Sequence, residues 1–147
     1  MNRTSWAFKV YGTPAPKGSF KAVPGAKGRA RLVNQLKGTT PWQDDVARAA
    51  ARLVEHYGMT EPIDAPIGVD LVVTVEAPRT VTRQWPTVRG TGDVDKHERT
   101  VLDGLVQGGL IRDDSLVCTG SLAKGYPHSP LPGVLPSPGA FIRIFLL

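Results

Sequence analysis

The sequence predicts an α+β fold in which a small mixed β-sheet carries two main helices packed on one face. Four short segments are patterned as strands, and two longer segments repeat apolar residues at helical spacing. Their order along the chain is β-α-β-α-β-β, which is typical of a mixed sheet with helices segregated to one side. The 147 residues contain no internal repeat and no linker, so we expect a single domain, 1–147.

The chain begins with a strand and a long loop. Residues 5–11 alternate, so that Trp6, Phe8 and Val10 share one face. Residues 12–39 are rich in Gly and Pro and carry Lys and Arg but no acid. A loop of this length in a small domain is usually functional or disordered. We therefore expect a basic loop that is mobile until it meets a polyanion.

A helix with a clear start signal follows the loop. Thr40 is placed to cap it, Pro41 suits its first position, and Gln43 completes a capping box. Apolar residues then recur at helical spacing as far as Tyr57, and they include Trp42, which we place in the core. A second strand is predicted over residues 67–76, where apolar residues occupy alternate positions.

The second half supplies one more helix and two strands. The helix runs from about residue 95 to 107, and strands are predicted over 115–122 and 140–147. Five prolines make residues 126–139 a proline-rich loop. The last strand is apolar on both faces. It is therefore either a central strand buried on both sides or part of a contact between two copies of the chain, for which the proline-rich loop is the other candidate.

Charge and composition narrow the class of protein. The formal net charge is +5, and residues 1–60 hold ten Lys or Arg against three acids, whereas residues 61–120 hold six against ten. A basic arm beside an acidic centre suits a polyanion handled near a cation. No run approaches the roughly 20 apolar residues that span a bilayer. The chain also lacks a signal-peptide pattern, so we expect a cytoplasmic protein with no membrane partner.

The chemistry is concentrated in residues 92–114. Asp93 and Asp95 are two residues apart, so in an extended segment their carboxylates project the same way. A Gly-Gly turn then returns the chain to Asp113 and Asp114. Carboxylates grouped in this way can hold a hard cation such as Mg²⁺, which polarises a phosphodiester and helps to generate hydroxide. Arg99 is placed to stabilise charge on the reacting phosphate.

The same residues also have structural interpretations that spacing alone leaves open. Asp95 followed by Glu98 is itself a capping box. Asp95, Arg99 and Asp103 are spaced by four and would form a row of ion pairs on one helix face. Asp113 and Asp114 are common turn residues.

This stretch is similar to the signature of the RusA family of Holliday junction resolvases. In that signature D-x-D opens a helix, a basic residue follows four positions later, an Asp-Ala-Leu-like triplet comes next, and D-D-x-x-V begins a strand. The matching residues here are Asp93-Val94-Asp95, Arg99, Asp103-Gly104-Leu105 and Asp113-Asp114-Ser115-Leu116-Val117. A weaker likeness to the family's G-x-P-x-P-K start lies at Gly12-Thr13-Pro14-Ala15-Pro16-Lys17.

The resemblance implies a homodimeric, Mg²⁺-dependent endodeoxyribonuclease that resolves four-way DNA junctions by paired nicks, in recombination, repair or phage DNA processing. Mn²⁺ is expected to substitute for Mg²⁺, and no small-molecule cofactor is expected. Carried over by position, the metal ligands are Asp93, Asp95 and Asp114, with Arg99 catalytic and Asp103 and Asp113 in supporting positions. The family usually has Lys at position 99 and Asn at position 96, where this chain has Arg99 and Lys96.

The remaining expectations concern DNA binding and isolated residues. The residues expected to bind nucleic acid are Lys17, Lys21, Lys27, Arg29, Arg31, Lys96 and Lys124. His97 is expected on the solvent side of its helix, and Cys118 in a buried strand. Phe20 either stacks on a base or packs on the sheet. Two other functions stay open, a DNA-binding module without catalysis and a metal-dependent nuclease that cuts forks or flaps.

Overall fold

The computed structural model describes residues 3–16, 40–80 and 82–147. Its helices and strands follow the predicted order. They are β1 (Ser5–Tyr11), α1 (Pro41–His56), β2 (Ile67–Thr74), α2 (Val94–Gln107), β3 (Val117–Gly125) and β4 (Gly139–Leu146). Two single-turn 3-10 helices, Arg89–Thr91 and Asp114–Leu116, precede α2 and β3.

The four strands form one mixed sheet in the order β1-β4-β2-β3. β4 pairs antiparallel with both β1 and β2, whereas β2 and β3 are parallel. A parallel pair needs a crossover connection, and here α2 lies within the chain that joins β2 to β3. The mixed sheet and its two helices confirm the predicted α+β class.

The core lies between one face of the sheet and both helices. Residues in register across the sheet point to the same side, as in the row formed by Phe8, Ile142 and Leu71. Ile142 and Leu71 belong to the same buried cluster as Val46 of α1 and Leu105 of α2, and Phe8 packs against that cluster. Both helices therefore cover one face, as predicted, and the alternation in β1 reflects this one-sided burial, whereas β2 is also buried at Gly68 and Thr74 on its other face.

The start of α1 follows the sequence signals. The Thr40 hydroxyl accepts a hydrogen bond from the backbone N–H of Gln43 at 3.1 Å, and Pro41 opens the helix. The side chain of Gln43 instead donates to the amide oxygen of Gln107 on α2, 3.0 Å away, so it ties the two helices together. Trp42 is buried in the core, as predicted.

Two glycines allow α2 to pack closely on α1. A Cβ built on Gly104 would lie 2.7 Å from Cγ1 of Val46, and one on Gly108 would lie 2.4 Å from the carbonyl oxygen of Ala47. Such distances are well inside van der Waals contact, so neither position admits a larger residue without movement. Gly104 stands where the family signature has Ala, and a methyl group at this position would meet the side chain of Val46.

The second half of the sheet differs in detail from the prediction. β4 is a central strand, but it is not buried on both faces. Ala140, Ile142 and Ile144 are buried on the core face, whereas Phe141 and Phe145 on the other face are half-buried and Arg143 is exposed. β3 begins at Val117, because residues 114–116 are wound into a 3-10 turn, and it is an edge strand. The prediction that Cys118 is buried was therefore wrong, since this edge position leaves the residue exposed.

The predicted proline-rich loop connects β3 to β4. It is fixed to the sheet where the Leu135 N–H donates to the Thr74 hydroxyl at 2.9 Å. In the three described ranges, no helix combines the length and apolar character required to cross a bilayer.

Candidate active site

Two of the predicted carboxylates lie at the start of α2. Asp93 occupies the N-cap position with extended backbone angles (φ −82°, ψ 141°), but its carboxylate makes no capping hydrogen bond. Asp95 lies in the first helical turn. The alternative in which Asp95 caps the helix is therefore wrong, because the cap position belongs to Asp93 and the helix begins at Val94.

Both carboxylates are open to solvent. The side chain of Asp93 is 70% exposed and lies 3.5 Å from the ammonium of Lys96. Asp95 is exposed and forms no ion pair within the described part of the chain. The N-terminus of a helix carries partial positive charge, which favours anionic groups at this position. The site thus has two carboxylates that are not committed to capping the helix.

A compact hydrogen-bond network holds the backbone immediately before Asp93. The ring Nε2 of His97 is 2.7 Å from the Thr91 carbonyl oxygen. The Lys124 ammonium donates to the Thr91 hydroxyl at 3.0 Å and to the Gly92 carbonyl oxygen at 2.6 Å. Residues from α2 and from β3 therefore converge on the Thr91–Gly92 segment that presents Asp93.

Gly92 completes this arrangement through its backbone conformation. Its φ of +82° lies in the region that disfavours a side chain. A Cβ at this position would also lie 2.8 Å from Nε2 of His97 and 2.7 Å from Cγ of Pro16. The G-D-V-D motif thus begins with a residue that both the backbone turn and the neighbouring His97 ring require.

The prediction that His97 faces solvent was wrong, since the residue is 1% exposed. Spacing by four from Val101 and Leu105 extends the buried stripe of α2 by one turn, and this signal was available in the sequence. Because the Thr91 carbonyl only accepts, Nε2 carries the proton and the buried Nδ1 has no partner in the described chain. Burial lowers the pKa of His97, and the hydrogen bond to Thr91 offsets only part of this shift. The ring is therefore neutral at pH 7.

Lys124 was expected to bind DNA, and its ammonium is instead engaged inside the protein. In the β2–β3 register it is paired with Val73, whose side chain lies in the core beneath the helices. Partial burial lowers the pKa of Lys124, and the nearby charge of Asp93 opposes this shift. The pKa of a lysine starts from 10.5, so we take the side chain as a cation that holds the Thr91–Gly92 segment.

Arg99 and Asp103 lie further along α2. Arg99 is exposed one turn beyond Asp95 and forms no ion pair with any described residue. The alternative of an ion-pair row from Asp95 through Arg99 to Asp103 is therefore wrong. Asp103 is half-buried. Arg99 keeps its guanidinium available on the surface that carries Asp95.

The two residues of the Asp113-Asp114 pair have different environments. The Asp113 carboxylate caps the 3-10 turn by accepting from the backbone N–H of Ser115 at 2.8 Å. Hydrogen bonds from Ser115 lower the pKa of the Asp113 carboxyl. Asp114 is exposed at the first position of the same turn, which contacts α2. Asp113 thus serves the turn, and Asp114 is exposed beside it.

The carboxylates of Asp93, Asp95 and Asp114 supply the oxygen donors that a hard cation prefers. In the residues that the structure describes, however, no three His, Cys, Asp or Glu side chains stand together as a ready-made metal site. Carboxylates repel one another, and solvent exposure lets each side chain turn towards water. The donor chemistry therefore fits a divalent cation, and binding would draw exposed side chains together.

A groove borders this site, and it contains an arginine to which the sequence analysis gave no role. It has a volume of about 490 Å³ and is lined by Pro14, Ala15, Pro16, Arg89, Gly90, Gly92, Asp93 and Lys96. Arg89 and Lys96 thus place two cations beside Asp93. The signal in the sequence was the position of Arg89 four residues before the D-x-D motif.

Five of the residues expected to bind nucleic acid lie outside the described residues. They are Lys17, Lys21, Lys27, Arg29 and Arg31. Phe20 also lies outside the described residues. The predicted mobility of the basic loop concerns positions 17–39, which lie outside them as well.

Comparison with known proteins agrees with the motif. The family profile described as Endodeoxyribonuclease RusA matches residues 13–134, which is most of the chain and includes every residue of the acidic site. The resemblance stated from the sequence is thereby confirmed. The comparison with curated proteins gave no match.

Proposed function

The chain belongs to the RusA family of endodeoxyribonucleases, and on that premise we propose that it is a divalent-metal-dependent nuclease that resolves four-way DNA junctions. The observation that carries the proposal is the start of α2. Asp93 and Asp95 lie at the N-terminus of this helix with exposed carboxylates, and the Asp93 carboxylate makes no capping hydrogen bond. A carboxylate that served only as the helix cap would accept a hydrogen bond from a backbone N–H of the first turn.

The acidic residues would hold the metal. Asp93, Asp95 and Asp114 are the ligands in this proposal, and Mg²⁺ is the ion, with Mn²⁺ as a substitute. When bound, a divalent cation polarises the phosphodiester and lowers the pKa of a bound water. Arg99 would then face the reacting phosphate and stabilise the negative charge that develops on its oxygens. Lys124 and His97 act indirectly, because they hold the backbone that presents Asp93.

The proposed substrate requires two such sites. A four-way junction has near-twofold symmetry, and clean resolution needs two symmetric nicks. One acidic cluster in one domain offers a single nick, so a homodimer with a twofold axis would match the substrate. Sedimentation at micromolar concentration, together with cleavage of a plasmid-borne cruciform, tests this point. A monomer that makes both nicks in one binding event would exclude the dimer.

One cleavage experiment separates the possible functions. The protein is incubated with synthetic four-way, forked, flap and linear duplex DNA, in Mg²⁺, in Mn²⁺, and in EDTA as the metal-free control. We expect cleavage of the four-way junction near its centre in either metal and none in EDTA. Stronger cleavage of forks or flaps would replace the substrate in the proposal. Binding without cleavage of any DNA in either metal would favour a non-catalytic DNA-binding module.

A metal titration gives an independent readout. Binding of Mn²⁺ is measured by calorimetry on the wild type and on Asp95→Asn, with Asp113→Asn as the matched control. The two variants make the same chemical change, but Asp113 caps a turn. We expect Asp95→Asn to weaken Mn²⁺ binding and Asp113→Asn to retain it. Equal affinity in all three proteins would remove Asp95 from the ligand set.

A further inference from the structure

An exposed tryptophan lies on the connection between β2 and α2, shortly before the acidic site in the chain. The side chain of Trp85 is 47% exposed and does not belong to the hydrophobic core. Trp42 is buried and Trp6 is half-buried, so Trp85 is the one exposed tryptophan in the described ranges. Single apolar residues are common on protein surfaces, so the surroundings of this ring decide what it does.

The surroundings of Trp85 are cationic. Residues 77–91 carry three arginines and no acidic residue. Arg79, Arg83 and Arg89 are exposed, and none of them has an ion-pair partner among the described residues. Aromatic rings beside basic residues are typical of surfaces that bind unpaired nucleic acid, where the ring stacks on a base and the cations contact the backbone. The charge favours a polyanion over a second copy of this segment, because two copies would repel each other.

Hydrogen bonds fix the backbone around Trp85. The Arg83 guanidinium donates to the Thr87 hydroxyl at 3.0 Å, and the Thr87 N–H donates to the Trp85 carbonyl oxygen at 2.9 Å. Pro86, which follows Trp85 directly, is buried. An anchored turn therefore presents the indole ring, and less conformational entropy is lost when a ligand binds to such a turn.

The same turn is tied to the segment that presents Asp93. The Thr91 hydroxyl lies 3.0 Å from the carbonyl oxygen of Pro86, and it accepts a hydrogen bond from the Lys124 ammonium at 3.0 Å. Trp85 precedes Asp93 by eight positions, and eight residues span at most about 28 Å. This limit is shorter than one turn of a DNA duplex, which is about 34 Å. A DNA that is bound at Asp93 therefore has a neighbouring part within reach of Trp85.

The state of the bases decides which DNA such a ring recognises. Within a continuous duplex every base is stacked between its neighbours, and unstacking one costs a few kcal/mol. At a branch point the stacking is interrupted, so the face of a base is available at a lower cost. We propose that Trp85 stacks on a base at the branch point of the DNA while Arg83 and Arg89 contact the flanking phosphates, an inference that rests on the proposed function and names a residue that selects branched over linear DNA.

Three variants test this contact. Trp85→Ala removes the ring, and Trp85→Phe keeps a smaller aromatic ring. Tyr57→Ala is the matched control, because it removes an exposed aromatic ring at the end of α1. Anisotropy binding in EDTA, at one salt concentration, is measured on a four-way junction and on a linear duplex with the same arm sequence. Sedimentation of each variant shows whether its oligomeric state has changed.

We expect Trp85→Ala to bind the junction on the order of tenfold more weakly and to bind the linear duplex as the wild type does. Trp85→Phe should recover most of the junction affinity, and Tyr57→Ala should match the wild type on both DNAs. An equal loss on both DNAs, or unchanged junction binding by Trp85→Ala, would overturn the stacking contact. A loss that accompanies a changed oligomeric state would place the ring in a protein contact and would overturn it too.

A measurement on the wild type does not depend on the stability of the alanine variant. Stacking on a base quenches indole emission, so the junction should quench the wild-type fluorescence, and most of this quenching should be lost in Trp85→Phe. Equal quenching in both proteins would show that Trp85 does not meet a base. Cleavage in Mg²⁺ decides the nuclease proposal separately, because neither assay needs cleavage. A wild type that cuts the junction, with normal junction binding by Trp85→Ala, would reject this contact and leave the nuclease proposal intact.

Discussion

Replacing Lys124 with methionine removes the two hydrogen bonds that hold the Thr91–Gly92 segment from the side of β3. Methionine keeps most of the side-chain length without the ammonium. Hydrogen bonds to charged groups contribute about 1.5–3 kcal/mol each, and partial exposure places this pair near the lower limit. We expect a loss of about 3 kcal/mol in the free energy of unfolding, which corresponds to roughly 10 °C in Tm for a domain of this size.

The effect on catalysis should exceed the effect on DNA binding. The Gly92 carbonyl precedes Asp93 directly, so loosening it displaces a proposed metal ligand. A misplacement of about 1 Å at a reacting group costs on the order of a hundredfold in rate. We therefore expect kcat on a four-way junction to fall by roughly 10- to 100-fold, while the junction Kd in EDTA stays close to that of the wild type.

Two further variants make the result decisive. Lys124→Arg keeps a donor and should recover part of kcat, whereas Arg143→Met removes an exposed cation and should leave kcat unchanged. Single-turnover cleavage and anisotropy binding are measured on all four proteins. A weakened Kd with an unchanged kcat in Lys124→Met would refute this reasoning, and it would return Lys124 to the DNA-contacting role predicted from sequence.

Three other predictions address the ligands, the helix contact and the buried histidine. Cleavage should be abolished and junction binding retained when a proposed ligand is replaced by asparagine, at Asp93, Asp95 or Asp114. Asp113→Asn should have a mild effect, because asparagine still caps the turn; substantial cleavage by any of the first three variants removes that residue from the site. Gly104→Ala should destabilise the fold by about 1–2 kcal/mol in urea unfolding, because the new Cβ meets Val46. Gly90→Ala, which meets nothing within 4 Å, should stay within about 0.5 kcal/mol, and equal effects of the two substitutions would contradict the close packing. Because the pKa of His97 is lowered in the folded protein, the unfolded chain binds a proton at a higher pH than the folded one does. In metal-free buffer the free energy of unfolding should therefore be unaffected by this group well above pH 6.5 and should decrease as the pH drops below 6.5. Urea unfolding across this range should show a flatter dependence for His97→Gln, and an identical dependence in both proteins would show that another group is responsible.

The elements that periodicity predicted well are those with one buried face. β1 was predicted with the observed bounds, and α1 starts at Pro41 as its capping signals indicate. The prediction was less accurate for β3, where a turn capped by Asp113 delays the strand by two residues. An edge strand that is mostly exposed has little hydrophobic pattern, so its limits and the exposure of Cys118 depend on its neighbours.

Some residues of the candidate site were predicted from local sequence, and others were placed there only by the fold. The D-x-D motif, Arg99 and the Asp113-Asp114 pair were found from local spacing and family resemblance. The burial of His97 had a signal in its spacing from Val101, but a polar residue near a helix end is easily assigned to solvent. Arg89 had no assigned role although it lies four residues before the D-x-D motif, because its position in the groove beside Asp93 depends on the fold.

The sequence by itself determined which segments become helices and strands, because amphipathic periodicity and capping act over a few neighbouring residues. It also determined the family, through a motif confined to about 25 residues. Only the tertiary structure decided that β4 lies in the centre of the sheet and that Lys124 reaches the carbonyl before Asp93. Lys124 and Gly92, which share this hydrogen bond, are 32 positions apart in the chain. Contacts of that range depend on strand order and on the crossover of α2, which local pattern does not encode.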